Sequence, residues 1–190
     1  DFSKLFTNLI LDFKNARDVS MQDIKKGETA DFFYAGRIRI GNRYKDVILT
    51  LAHDVFENIQ QLSLDGVTYV IAIPYSNPEF CYKTDVNQYL IDNVTRNDGL
   101  LRASKKIIRR TYPKTPSHQG ERNAREHYRT LGFDVEIDFD PKPDNIVIFD
   151  DVRTTGSHIV SVAKILRYFG VPGKIYSVTL GQTAYPNNYW

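Results

Sequence analysis

Apolar residues along this chain recur with the two spacings that distinguish buried strands from helices. Runs rich in β-branched and aromatic residues predict parallel strands at residues 67–73, 146–149 and 175–180. Apolar positions three and four residues apart predict helices at residues 2–13, 51–62, 82–93, 121–131 and 159–169. Because strands and helices alternate from residue 51 onwards, the pattern predicts an α/β fold with a mostly parallel sheet flanked by helices on both faces.

The N-terminal third has a different pattern. The helix predicted at residues 2–13 has one apolar face, which suits either the core or a homodimer interface, and a polar connector follows it. Two strand-like runs, 32–40 and 44–51, flank Gly41-Asn42-Arg43 and predict a hairpin. We therefore expect one domain: an N-terminal helix and connector (1–30), a core (31–182) and an aromatic tail (183–190).

Composition limits the functional classes. With 190 residues, 42% of them hydrophobic, the chain can bury a full core. Its single cysteine, Cys81, excludes an internal disulfide and a multi-cysteine zinc ribbon and fits a reducing compartment. No apolar run is long enough to cross a membrane, and the N-terminus lacks the basic-then-apolar pattern of a signal peptide, so we expect a cytoplasmic protein with no membrane partner.

Candidate chemistry concentrates where the strand at 146–149 ends. Two carboxylates, Asp150 and Asp151, are followed by Arg153-Thr154-Thr155-Gly156-Ser157-His158 and then by the helix. The start of a helix offers free N–H groups that bind phosphate, glycine permits close approach, and hydroxyls can donate. Carboxylates would repel phosphate but suit sugar hydroxyls or Mg²⁺. A sugar phosphate could bind to the acidic pair through its hydroxyls and to the turn through its phosphate. The alternative is an ordinary turn in which the aspartates cap the helix.

The sequence IVIFDDVRTTGSH resembles the phosphoribosyl diphosphate (PRPP) signature of type I phosphoribosyltransferases. The resemblance implies a type I phosphoribosyltransferase-like fold and a cytoplasmic glycosyltransferase of nucleotide metabolism that uses PRPP with Mg²⁺. Residues 153–158 would bind the 5′-phosphate. Asp150 and Asp151 would bind the ribose hydroxyls or Mg²⁺ and serve catalysis, with Asp151 a candidate proton acceptor. His158 departs from the threonine usual in the family; a protonated imidazole could replace that contact.

A second loop follows the strand at 67–73. In type I phosphoribosyltransferases the corresponding loop contacts the diphosphate of PRPP, and Pro74, Tyr75, Ser76 and Asn77 occupy that place here. A plain strand-ending turn explains the same residues equally well.

Residues 102–129 hold nine Lys or Arg and two Glu, a local charge of +7 in a chain of net charge +2. Such a segment, with Arg109 and Arg110, can neutralise a diphosphate leaving group and exclude water when closed. Two other interpretations stay open: a solvated basic face, and a nucleic-acid surface with interleaved aromatic residues.

The sequence RRTYPKTPSHQGERNAREHY is similar to the ComF-like branch of the same family, which would imply a role in DNA uptake. Three functions therefore remain: a phosphoribosyltransferase acting on a nucleobase-like acceptor, a non-catalytic sensor of PRPP or a nucleotide, and a ComF-like protein that handles nucleic acid. The sequence leaves the acceptor base and the oligomeric state, homodimer or larger assembly included, undetermined.

Overall fold

The structure, a computed structural model, describes residues 32–34, 38–40, 42–74, 86–96, 98–103, 107–112, 124–134, 139–153 and 155–182. Within these ranges strands and helices alternate through most of the chain. The elements are β1 Phe32–Tyr34, β2 Ile38–Ile40, α1 Asn42–Gln60, β3 Thr68–Ala72, α2 Val86–Val94, β4 Leu101–Ala103, β5 Ile108–Arg110, α3 Ala124–Thr130, β6 Leu131–Phe133, β7 Asn145–Arg153, α4 Ser157–Tyr168 and β8 Lys174–Gln182.

The central sheet has the order β4-β3-β7-β8, and every neighbouring pair in it is parallel. The predicted parallel α/β architecture is thus confirmed. β7 pairs with β3 from Asn145 to Phe149, but its pairing with β8 continues to Arg153. The carboxyl end of β7 therefore extends beyond that of β3.

Both faces of the sheet are buried. One face packs Val147 and Phe149 of β7 against apolar residues of α1 and α2, including Leu51 and Leu90. The other face packs Ile146 and Ile148 of β7 against Val162, Ile165 and Leu166 of α4. Because alternate residues of β7 are buried on opposite sides, the strand reads as a continuous apolar run in the sequence.

Two predicted elements are wrong. Residues 44–51, predicted as the second hairpin strand, belong to α1, and the hairpin is formed by β1 and β2 instead. Val55 and Ile59 continue the spacing of four set by Leu51, and all three are buried, so the apolar stripe of a helix prevails over the strand preference of the residues before it. Likewise Leu131, predicted to end a helix at 121–131, begins β6, and α3 ends at Thr130.

Three short strands carried no predicted counterpart. β5 and β6 form an antiparallel ribbon apart from the central sheet, and β4 lies at the sheet edge. In the sequence, apolar residues that alternate with acidic ones from Phe133 to Phe139 predict a half-exposed strand; it overlaps β6 only at Phe133, and residues 135–138 lie outside the described ranges. The predicted N-terminal helix, its connector and the tail also lie outside them. Within the described part of the chain, each helix is too short or too polar to cross a membrane.

Candidate functional site

The site begins where β3 ends beside β7. Ile73 N–H donates to the carbonyl of Phe149 at 2.9 Å, which places Pro74 near the acidic pair that follows Phe149 in β7. The structure therefore places Pro74, the first residue of the predicted diphosphate loop, at the same end of the sheet as the acidic pair, where open α/β sheets bind ligands. Pro74 is buried. Tyr75, Ser76 and Asn77, the other predicted diphosphate contacts, lie outside the described residues.

Between β7 and α4 the chain turns through Gly156. This residue is the N-cap of α4 and has φ 76°, in the left-handed region that glycine adopts without strain. As a glycine, the N-cap residue has no side chain with which to cap the helix, and the N–H of Ser157 has a long hydrogen bond of 3.4 Å to Oγ1 of Thr155. The first N–H groups of a helix have no partner within it. The start of α4 is therefore a place for an anion.

Two predicted hydroxyls border this turn. The hydroxyl of Thr155 donates to Oγ of Ser157 at 2.9 Å, and the N–H of Ser157 donates a long hydrogen bond of 3.4 Å to Oγ1 of Thr155. Thr155 is exposed, whereas Gly156 and Ser157 are partly buried, so the turn opens to solvent. Both hydroxyls can rotate to donate to a phosphate oxygen. Thr154 lies outside the described residues.

Arg153 adds a positive charge to the turn. A Cβ placed on Gly156 would lie 3.3 Å from Nε and 3.9 Å from Nη2 of Arg153, so the guanidinium covers the glycine closely. Arg153 as a whole is exposed to solvent. Guanidinium, helix N-terminus and hydroxyls thus converge on the turn, the combination that binds a phosphate group.

The two predicted acidic ligands do not share one environment. Asp150 is 6% exposed, whereas Asp151 is half-buried. Burial raises the pKa of the Asp150 carboxyl above its ordinary value; the hydrogen bond and charge of the His158 imidazole oppose this rise, whereas the charge of Asp151 and a hydrogen bond with its side chain add to it.

His158 faces inward. Its Nδ1 lies 3.7 Å from Oδ2 of Asp150, and its Nε2 is buried without a hydrogen-bond partner among the described residues. The structure thus places this predicted phosphate ligand against Asp150.

His127 of α3 was missed by sequence reasoning. It is fully buried, and its ring meets that of His158 edge to face, with centroids 3.6 Å apart and planes at 77°. A histidine inside a basic helix carries no sequence signal that could have revealed this contact, because the packing of α3 on α4 is tertiary.

The predicted basic segment is divided between surface and interior. Arg109 forms an ion pair with Asp134, whereas Arg110 is 2% exposed and donates to Oγ1 of Thr130. Thr130 in turn donates to the carbonyl of His127 at 3.1 Å. Of the two arginines predicted to meet diphosphate, Arg110 is thus linked through Thr130 to the backbone carbonyl of His127, whereas Arg109 pairs with Asp134. Arg102, Arg125 and Arg129 are exposed.

The donor set suits Mg²⁺ at one carboxylate. Among the described residues no three His, Cys, Asp or Glu side chains are grouped to enclose a metal ion. Magnesium in phosphoryl-ligand sites commonly binds one or two carboxylates and completes its shell with water and ligand oxygens. Asp151, half-buried near the carboxyl end of β7, fits that manner of binding, whereas Asp150 is enclosed by protein.

These features define a parallel α/β protein with a glycine turn and an acidic pair at the end of its central strand. Two solved structures of hypoxanthine phosphoribosyltransferase from Staphylococcus aureus are similar to the chain. The orthorhombic form has 11% identity over 75% of each chain, and the tetragonal form has 15% identity over 75% of this chain and 70% of the other; both have a TM-score of 0.39. No protein-family model matches the sequence, and no curated protein does.

Proposed function

We propose that the chain binds PRPP, or another ligand containing ribose 5-phosphate, at the carboxyl end of β7. The observation that carries this proposal is the turn at Gly156, where a left-handed glycine, an uncapped helix N-terminus and the Arg153 guanidinium converge beside an acidic pair. The turn suits the 5′-phosphate, and the acidic pair suits the ribose hydroxyls or Mg²⁺. A ligand with both groups matches the site better than a free phosphate does.

We propose further that the reaction is phosphoribosyl transfer. A nucleobase-like acceptor would form a bond to the anomeric carbon of PRPP while the bond from that carbon to diphosphate breaks, and the acceptor nitrogen would lose its proton. Such a transition state has oxocarbenium character, so positioning, a stabilised leaving group and exclusion of water matter more than a nucleophilic side chain. Mg²⁺, when bound, would neutralise charge on the diphosphate.

The residues of the chain have separate tasks in this proposal. Gly156, Ser157, Thr155 and Arg153 hold the 5′-phosphate and thereby fix the position of the anomeric carbon. Asp151 orients the ribose and is the candidate proton acceptor. Pro74, buried beside the end of β7, sets the path of the loop that would meet the diphosphate.

A specific observation also supports the non-catalytic alternative. Asp150 is almost fully enclosed, so Asp151 is the more accessible carboxylate of the pair. A site with a single accessible carboxylate can bind a phosphoribosyl ligand without turning it over, and such a protein would act as a sensor.

One pair of assays separates the candidates. Binding of PRPP is measured by calorimetry with and without Mg²⁺, and release of diphosphate is measured with a panel of purine and pyrimidine bases. Binding with release supports the transferase, and binding without release supports the sensor. If neither occurs, the phosphoribosyl proposal is wrong. DNA or RNA binding that weakens steeply with salt would then favour the ComF-like alternative through residues 102–129.

A further inference from the structure

A groove of about 900 Å³ runs along α4, between this helix and β8. Residues 175–177 of β8 line it, and they pair with residues 146–148 of β7, which precede the acidic pair. Tyr128 of α3 also lines it. The α4–β8 groove therefore lies along the side of the sheet and is separate from the candidate site at the carboxyl end of β7.

α4 buries one face and presents a second face to this groove. Its buried residues are Ser161, Val162, Ile165 and Leu166. Residues 160, 163, 164, 167 and 168 recur at helical spacing on a neighbouring face, and all five line the groove. Val160, Tyr168, which is 75% exposed, and Tyr128 are three of the eight large hydrophobic residues exposed in the described part of the chain. Such a concentration of exposed apolar side chains marks an interaction surface.

The charges in the groove are positive. Arg167 donates to the carbonyls of Val171 at 3.2 Å and Gly173 at 2.8 Å, so its guanidinium is held at the end of α4. Lys164 is exposed and has no hydrogen bond or ion pair with the described residues. No Asp or Glu is among the described residues that line the groove. The partner that fits is therefore an apolar surface with a carboxylate at its border.

The N-terminal segment of this chain has such a surface. The helix predicted at residues 2–13 carries its apolar residues on one face, at positions 2, 5, 6, 9, 10 and 13. Asp12 follows Leu9 by three residues and therefore lies at the border of that face. A helix of this length extends about 18 Å, enough to follow α4 from Val160 to Tyr168, about 12 Å. So short a helix is marginal in water and needs an apolar partner.

The connector to β1 allows the segment to reach the groove of its own chain. Residues 14–31 join the segment to β1, which begins at Phe32. A connector that long spans up to about 60 Å when extended. A compact chain of 190 residues has a radius of gyration of only about 16 Å. A second copy of the chain is therefore not needed to bring the two surfaces together.

We propose that residues 2–13 pack as a helix in the α4–β8 groove of the same chain. Their apolar face covers Val160, Ala163 and Tyr168, and Asp12 lies beside Lys164. This packing assigns the predicted N-terminal helix to the core of its own domain instead of a homodimer interface. The inference does not depend on the proposed phosphoribosyl site, since the groove lies outside the turn at Gly156.

Photo-crosslinking in the full chain tests the contact directly. The photoreactive residue p-benzoyl-L-phenylalanine replaces Tyr168 in one variant. In the matched control it replaces Tyr112, which is also exposed but does not line the groove. After irradiation and proteolysis, the peptides joined to position 168 should contain residues 2–13, in a product that migrates as a monomer. Position 112 should give little of this product.

Thiol labelling measures whether the groove is covered. Cys81→Ser removes the single natural cysteine, and Tyr168→Cys or Tyr112→Cys then supplies one thiol. A maleimide should label position 168 at least about tenfold more slowly than position 112 if the segment protects it. Leu9→Glu should remove the protection, because it places a charge on the apolar face. Asn8→Glu, on the polar face, is the control and should keep it.

The proposed ion pair is tested by exchanging its charges. Lys164→Glu should weaken the protection of the thiol at position 168, since Asp12 then meets a like charge. Asp12→Lys, added to Lys164→Glu, should recover part of it. If the double variant is protected no better than Lys164→Glu alone, Asp12 does not lie beside Lys164.

Each remaining outcome decides the proposal. Crosslinks from position 168 to residues 2–13 within a monomer, with protection that Leu9→Glu removes, support it. Crosslinks to the same residues that join two chains would mean that a second copy covers the groove, and the packing within one chain would be wrong. Crosslinks to other segments only, or equal labelling of positions 168 and 112, would overturn the proposal.

Discussion

The carboxylate of Asp144 occupies the space in which any side chain on Gly66 would lie. The same carboxylate accepts a hydrogen bond from the N–H of Val67 at 2.8 Å. The backbone of Asp144 donates to the carbonyl of Val67 and accepts from the N–H of Lys174, each at 2.9 Å. One residue therefore aligns the amino ends of β3, β7 and β8. Since the strands are parallel, that alignment also sets where their carboxyl ends, and the candidate site, lie.

Gly66→Ala should destabilise the fold by about 2–3 kcal/mol. Gly66 has φ 81°, where an L-residue is strained by about 1–2 kcal/mol, and a methyl group would displace the Asp144 carboxylate from a hydrogen bond worth about 1 kcal/mol. The measurement is urea unfolding. Gly99→Ala is the control, because a methyl group there meets nothing within 4 Å, and its effect should stay within about 0.5 kcal/mol. Equal losses for the two variants would contradict the role of Asp144.

The parts of the fold that sequence predicted are those with a strong local pattern. β3 and β7 combine β-branched residues with an abrupt stop, β8 has the same residue types, and the turn at Gly156 lies between β7 and α4. By contrast, residues 44–51 combine strand-forming residue types with helical spacing, and only burial of Leu51 shows which property prevails. The short strands β4, β5 and β6, three residues each, are too brief to display any period.

The site shows the same limit. The order of acidic residues, hydroxyls and glycine around the turn follows from the sequence, and the structure brings the end of β3 beside Phe149, next to the acidic pair, as the parallel arrangement predicts. The different burial of Asp150 and Asp151 depends on the tertiary packing around the end of β7, which the sequence of the two adjacent aspartates does not specify. The contact of His158 with His127 depends on how α3 packs against α4, and no pattern within either helix specifies it.

Gly156→Ala should weaken PRPP binding much more than it weakens the fold. The left-handed φ of 76° costs an L-residue about 1–2 kcal/mol, and the added methyl group would stand in the phosphate turn, 3.3 Å from Nε of Arg153. We expect at least about a tenfold loss of affinity by calorimetry, equivalent to about 1.4 kcal/mol.

Gly170→Ala is the control for that loss. Gly170 has a similar φ of 68°, lies beyond the other end of α4, and a methyl group there meets nothing within 4 Å. It should show a comparable loss of stability with unchanged affinity. If both variants bind PRPP equally well, the turn at Gly156 does not hold the phosphate.

Arg153→Gln should reduce affinity for PRPP by about tenfold, since a hydrogen bond to a charged group contributes about 1.5–3 kcal/mol. It should also lessen the fall of affinity with added salt, because one charge that meets the phosphate is gone. Calorimetric titrations at several salt concentrations measure both effects. Lys164→Gln removes the same charge from an exposed position farther along α4 and should leave both unchanged. An equal effect of the two substitutions would mean that only the net charge matters.

Asp150→Asn should stabilise the protein at neutral pH and lose this advantage in acid. Burial raises the pKa of Asp150, so the folded state binds its proton more tightly than the unfolded state does. The stability that this group contributes is therefore complete below its unfolded pKa and is lost as the pH rises through its raised folded pKa. Asparagine carries no charge into the interior at any pH and keeps an oxygen facing His158.

Melting temperatures measured from acid to neutral pH should diverge in favour of the variant, whereas Glu57→Gln, at an exposed position on α1, should follow the wild type. If the melting curves of Asp150→Asn and the wild type run parallel with pH, or if the variant is less stable at neutral pH, the buried charge of Asp150 does not destabilise the protein.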